Sequence, residues 1–416
     1  MPPGFLVGAR AGAVGGFFAG LWPGSAAGDI VRAVGIQRQF GGLGLRPFFL
    51  VLLSWWISAF CGCVSGPGPA TGQLGKCIWV SRWEFKTQAD IDAVMEKCAW
   101  AGFDTVFLQV RGNGTVHYSS REEVWAEAYD HKSPGFDPLS YSVVAAHANG
   151  LRLHAWLNIV PGWSGDDPPA VARQLYRSRP EWFLRKAGGG LTKEGSYSWL
   201  NPCLPDVRSY LVGICEEVAS GYSVDGIHLD YIRFPAGPDS KASPHDARSL
   251  ALFTRQTGRP VGDADAFRRW KTGCITEIVS GVRRRLRRLP RRVLLTAAVT
   301  ANMDVCREET MQDWPDWGRK GLVDAVMPMN YTDDEDLFQS RCQELIRAAE
   351  GTPVVMGIGV YKHQEAKLDA RATMRQMDAA VRAGAVGVCL FSYGSSLKGQ
   401  WANAMSYWNR TRKLRR

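Results

Sequence analysis

A chain of 416 residues with 45% apolar content can hold one large α/β domain or two average ones, and is too rich in hydrophobic side chains to be disordered. Its formal net charge of +10 gathers in the arginine run between Arg283 and Arg292 and at the C-terminus, with no interleaved aromatic residues, which argues against a nucleic-acid groove. The ten cysteines show no CxxC pair and no Cys/His spacing of a zinc site, so neither a redox motif nor a bound metal is expected.

Residues 1–46 are Gly/Ala-rich and aperiodic, and read as an N-terminal extension; a start assigned too far upstream would explain them. Within 47–63 the apolar run Pro47–Phe60 follows Arg46. It is shorter than the roughly 20 residues of a membrane span and suits the core of a signal peptide. Cys61 and Cys63 come next, each in a loose version of a lipoprotein cleavage box. Export to the periplasm or envelope is expected, with a lipid anchor at one of these cysteines as the route to membrane association. Residues 64–75 are a Gly/Pro linker, and 76–416 read as one domain.

From Lys76 onward apolar runs alternate with amphipathic segments. Strands are expected at Cys77–Arg82, Thr105–Arg111, Arg152–Ile159, Gly226–Tyr231, Val293–Thr300, Ala325–Tyr331, Val354–Gly359 and Gly387–Tyr393. Helices are expected between them, among others at Gln88–Ala101, Leu139–Asn149, Asp206–Ser220, Ala264–Leu289, Leu337–Ala349 and Arg371–Ala383. Glycines stop several where a helix C-terminus needs them, as at Gly102, Gly150 and Gly384. Strict β/α alternation implies a parallel sheet, and eight strands over this length fit a closed (β/α)8 TIM barrel. No Gly-rich phosphate loop follows the first strand. Long insertions fall after strands two, three and four, the second with an expected hairpin pairing Trp182–Arg185 with Tyr197–Leu200.

The stretch Val224–Pro235 carries the most information. Ile227 and Leu229 alternate with His228 and Asp230, so the polar pair faces into the barrel, where a charge is costly unless paired or used. The plainer role for Asp230 is to cap the next turn or pair with Arg233. The same alternation puts Arg111 inward at the end of strand two, and His154, Trp156 and Asn158 inward on strand three. Between Asn330 and Tyr331 the pattern of strand six does not choose.

Taken in order, IWVSRW, FDTVFLQVR, GFDPLS, LHAWLN, LNPCLPDVR, VDGIHLDYIRFP, VDAVMPMNY and FSY resemble the glycoside-hydrolase-like family 10 of bacterial envelope proteins, distinct from the family 10 xylanases. The resemblance runs from about Lys76 to Trp401. It implies a (β/α)8 barrel that hydrolyses glycosidic bonds in an envelope or extracellular polysaccharide, with peptidoglycan glycan strands favoured and no cofactor. Many relatives carry two aspartates in succession at the end of strand four; this chain has Asp230-Tyr231, so the second must be supplied elsewhere, by Asp333 or Asp334, or not at all.

Glycoside hydrolysis ordinarily uses two carboxyl groups. Asp230 is expected as nucleophile or base. Asp333 is preferred over Asp304 and Glu84 as the acid, although capping the next helix would equally explain it. Arg111, His154, Trp156, Asn158, His228, Tyr231, Arg233 and Tyr331 are the expected substrate-binding residues, with core packing as the plainer role for His154 and Trp156. The rival to an enzyme is a catalytically inactive carbohydrate-binding barrel. A metal-dependent amidohydrolase would need a His-x-His pair on strand one, and Trp79-Val80-Ser81-Arg82 has none.

Overall fold

In the computed structural model the eight expected strands close into a ring. Described are residues 74–165, 169–237, 243–397 and 399–413; the extension, the apolar segment and all but the end of the linker lie outside them. The barrel strands are β1 (Lys76–Val80), β2 (Thr105–Arg111), β3 (Arg152–Asn158), β4 (Gly226–Asp230), β5 (Leu294–Thr300), β6 (Ala325–Met329), β7 (Val355–Gly359) and β8 (Gly387–Phe391). They run in sequence order, all parallel, and β1 pairs with both β2 and β8 to shut the ring. A parallel ring hides every backbone edge, and the covering helices bury its outer face.

The helices begin where capping chemistry allows. Thr87 and Asp90 make a reciprocal capping box ahead of Gln88–Trp100, and Asp137 caps Pro138–Ala148 with a proline in its first turn. Asp334 accepts from the Leu337 N–H and starts Glu335–Ala348. Asp246 and Asp263 do the same for Ala247–Thr257 and Ala264–Leu286.

The sheet divides two apolar layers. Outside, Ile78, Val80, Leu108, Leu157, Ile227, Leu229 and Val299 pack against the helices. Inside, Trp79, Phe107, Trp156, Ala298, Met327, Val355 and Cys389 fill the ring as a solid core, as barrels of this size require. One polar thread crosses it: Trp79 Nε1 donates to His228 Nε2 (3.0 Å), and His228 Nδ1 lies 2.9 Å from Thr296 Oγ1.

The insertion after β2 extends the barrel sheet, and the insertion after β3 adds a small three-stranded sheet of its own. Thr115–Val116 runs back antiparallel to the end of β2 and is joined by Val124–Trp125. After β3, Tyr197–Trp199 pairs with both Pro161–Ser164 and Lys193–Glu194. The expected hairpin therefore forms in part: Phe183 meets Leu200 in a single bridge, while Tyr197–Trp199 takes its main partners elsewhere.

Candidate active site

Parallel strands leave their C-terminal ends at one mouth, and β4 delivers Asp230 there. In register, Asp230 stands beside Asn158 of β3, and His228 beside Trp156. Trp156 Nε1 donates to Asp230 Oδ2 (3.1 Å) and to Asn158 Oδ1 (3.0 Å), so one indole N–H ties the three residues together. The Tyr231 N–H donates to Asp230 Oδ1 at 2.6 Å. Tyr231 has φ 49°, a left-handed backbone that side chains with a Cβ rarely adopt. The chain turns sharply at that point, directly beside the carboxylate.

Burial dominates the electrostatics of Asp230. It raises the carboxyl from its ordinary 3.8 to about 6, opposed by the Tyr231 N–H, Arg233 and the Trp156 N–H, and reinforced by Glu194. Around it stand aromatic rings. Tyr331 stacks on Phe391 (5.5 Å, 22°) and meets Trp79 edge-on, with Tyr361 against both Tyr331 and Phe391. Tyr331 is thus the inward residue of the sixth strand's end; Asn330 is buried on the other side, its amide donating to the Phe338 carbonyl.

The β3 insertion forms a wall. Arg233 grips Glu194 with both Nη atoms (2.8 and 3.2 Å) and lies over the rings of Trp199 and Tyr231. Tyr197 packs edge-on against Tyr231, ring centroids 5.6 Å apart. Glu194 and Tyr197 were not among the sequence candidates. Both sit on strands of two or three residues beside a Gly-rich turn, and no periodicity there marks them.

Several expected residues are placed elsewhere. Arg111 does not reach the mouth. A bulge at Val110 shifts the register, so that Gln109 faces Trp156 but Arg111 faces Leu157, one of the outward residues. One extra residue reverses the facing of everything after it. Arg111 is fully buried beneath helix Pro205–Gly221, forked onto Glu123 and bonded to the carbonyls of Asn158 and Ile159; Tyr210 also donates to Glu123. His154 points inward but lies deep, edge-on to Phe107 and against Gly226, where any Cβ would collide with it. Neither ring nitrogen has a hydrogen-bond partner, and burial lowers its pKa to about 4.

His228 is likewise an interior residue, held below its ordinary pKa by burial and by His154. Its Nε2 accepts from Trp79, so the proton of the neutral ring belongs on Nδ1, toward Thr296. Asp230, Trp156, Asn158, Tyr231, Arg233 and Tyr331 do come together. Asp333 is exposed on the loop between β6 and helix Glu335–Ala348, and its charge acts on Lys362 and His363. Asp304 is exposed in the first turn of Met303–Glu308, and the Glu84 carboxylate lies on Gly394 beyond β8. Among the described residues no cluster of three or more His, Cys, Asp or Glu is arranged to hold a metal ion.

The (β/α)8 barrel is a fold that this chain shares with solved structures of sugar-processing enzymes. The glycoside hydrolase domain of PgaB (BpsB) from Bordetella bronchiseptica aligns with TM-score 0.59 at 14% identity, covering 80% of this chain and 98% of that one. The catalytic domain of β-amylase from Paenibacillus polymyxa aligns with TM-score 0.57 at 9% identity, covering 83% and 99%. The chain belongs to the Glycosyl hydrolase-like 10 family, whose pattern matches residues 76–373. Glycosyl hydrolase DigH of Escherichia coli K12 is 26% identical over 272 residues, which is 60% of this chain and 59% of DigH. YngK of Bacillus subtilis 168 is 27% identical over 145 residues, 32% of this chain and 26% of YngK. The chain thus matches less than two thirds of either relative's length.

Proposed function

We propose that this protein is an exported glycoside hydrolase that cleaves glycosidic bonds in an envelope or extracellular polysaccharide, with peptidoglycan glycan strands as the favoured substrate. One observation carries the reading: the mouth of the barrel holds Asp230 buried, hydrogen-bonded to Trp156 and Tyr231, and surrounded by rings that suit sugar faces. Ionised above about pH 6, that carboxylate would stabilise or attack the positive charge that develops on the sugar at the transition state. Asn158, Tyr231, Arg233 and Tyr331 would bind hydroxyl groups and stack on the rings.

For the proton donor we keep Asp333, whose exposed carboxylate makes no ion pair among the described residues. Glu194 is the competing group, since its field reaches Asp230. Its bidentate ion pair with Arg233 disfavours the protonated form a donor needs, and this favours the second reading, a sugar-binding barrel without catalysis. The test is to incubate the purified protein with peptidoglycan glycan strands and a panel of other polysaccharides and to read products by mass. The enzyme reading expects shortened oligosaccharides from the wild type and none from Asp230→Asn. Asp333→Asn is expected to slow turnover more than Glu194→Gln. Binding without products would establish the second reading.

A further inference from the structure

Among the described residues, Arg82 is a buried cation with no counterion. It follows β1, is only 4% exposed, and among the described residues no carboxylate forms an ion pair with it. Its Nη2 donates to the Tyr197 hydroxyl at 3.4 Å, and its Nε has no hydrogen-bond partner. The guanidinium lies against Gly112, just past β2, where any Cβ would collide with it. It also lies over the Trp83 indole, 4.5 Å from the ring centroid, and Trp83 is 69% exposed. Buried arginines are ordinarily paired, as Arg111 is with Glu123 and Arg233 with Glu194. Arg82 departs from that rule at the rim of the candidate active site.

Its position links it to the acid. Tyr197 touches Arg82 on one side and Tyr231 on the other, and Tyr231 adjoins Asp230. The chain of contacts from Arg82 through Tyr197 and Tyr231 thus ends at the acid. We propose that Arg82 is a subsite for the carboxylate of an acidic sugar lying near the bond to be cleaved, with the exposed face of Trp83 stacking on a neighbouring ring. The inference rests on the reading of the mouth as a glycan site and adds the class of sugar it takes. Muramic acid and uronic acids present the same group, and both supply the missing counterion.

The full-length protein carrying Asp230→Asn, to prevent turnover, is titrated calorimetrically with muramic-acid-containing oligosaccharides, with uronic-acid oligosaccharides, and with the carboxyl-reduced form of each. Carboxyl reduction is expected to weaken binding on the order of tenfold to a hundredfold for whichever acid is preferred. Adding Arg82→Met should erase that difference, and Arg82→Lys should restore part of it. The acid-versus-reduced comparison uses intact Arg82, so it stands even if the Arg82 variants fold poorly. Equal binding of acidic and reduced forms overturns the Arg82 subsite while leaving the glycan site in place. Binding of none of these glycans, together with no products from the wild type on any polysaccharide, overturns both.

Discussion

Two buried charged sites lie close together in the barrel and differ in one respect. Beneath helix Pro205–Gly221, Arg111 and Glu123 cancel each other's charge, and carbonyls and the Tyr210 hydroxyl take up the remaining hydrogen bonds. At the mouth, Asp230 has two N–H donors and, among the described residues, no salt-bridge partner, since Arg233 is committed to Glu194. A satisfied pair holds loops to the scaffold; an unsatisfied carboxylate is raised in pKa and open to a ligand that develops positive charge. Burial alone does not separate the two. Completeness of partners does.

The contrast can be broken at either end. Asp230→Asn should cut turnover by about 10²–10⁴-fold, as loss of a positioned catalytic carboxyl does, read by product release on whichever polysaccharide the wild type cleaves. Glu123→Gln should leave the kcat/KM of folded protein nearly unchanged. It should cost about 3–5 kcal/mol of stability, because it strands a fully buried guanidinium; denaturant unfolding measures it.

Asp230→Asn should act in the opposite sense on stability. Between the ordinary 3.8 and about 6 the folded carboxyl keeps a proton that the unfolded one gives up, so raising pH through that window destabilises the wild type. Above pH 6 the substitution should therefore stabilise the protein, by at most about 3 kcal/mol. A destabilised Asp230→Asn would mean that the carboxylate is compensated after all.

The pH profile sharpens the assignment of role. If ionised Asp230 is required, kcat/KM should rise as pH passes about 6; a fall there would make it the acid. Trp156→Phe should move that limb to higher pH by up to about one unit, since the indole N–H favours the charged form. An unmoved limb would detach the limb from Asp230.

Much of this was legible from residue patterns. The eight strands and six helices named from the sequence appear within a few residues of their expected ends, because alternation and capping are local properties. Asp230 was found for the same reason: Ile227 and Leu229 on the outer face oblige it to face inward. Tyr331 against Asn330 was not decidable, since β6 ends at Met329 and the backbone beyond it no longer alternates.

The residues themselves determined where strands and helices lie, which faces are apolar, and that Asp230 faces inward at the end of β4, because each of these depends on neighbours two to four positions apart. Tertiary structure decided the rest. The bulge at Val110 turned Arg111 away from the site, and the β3 insertion brought Glu194 and Tyr197 across to Arg233 and Arg82. Those outcomes depend on contacts between segments far apart in the chain, where loop closure and packing set the geometry and no sequence period records it.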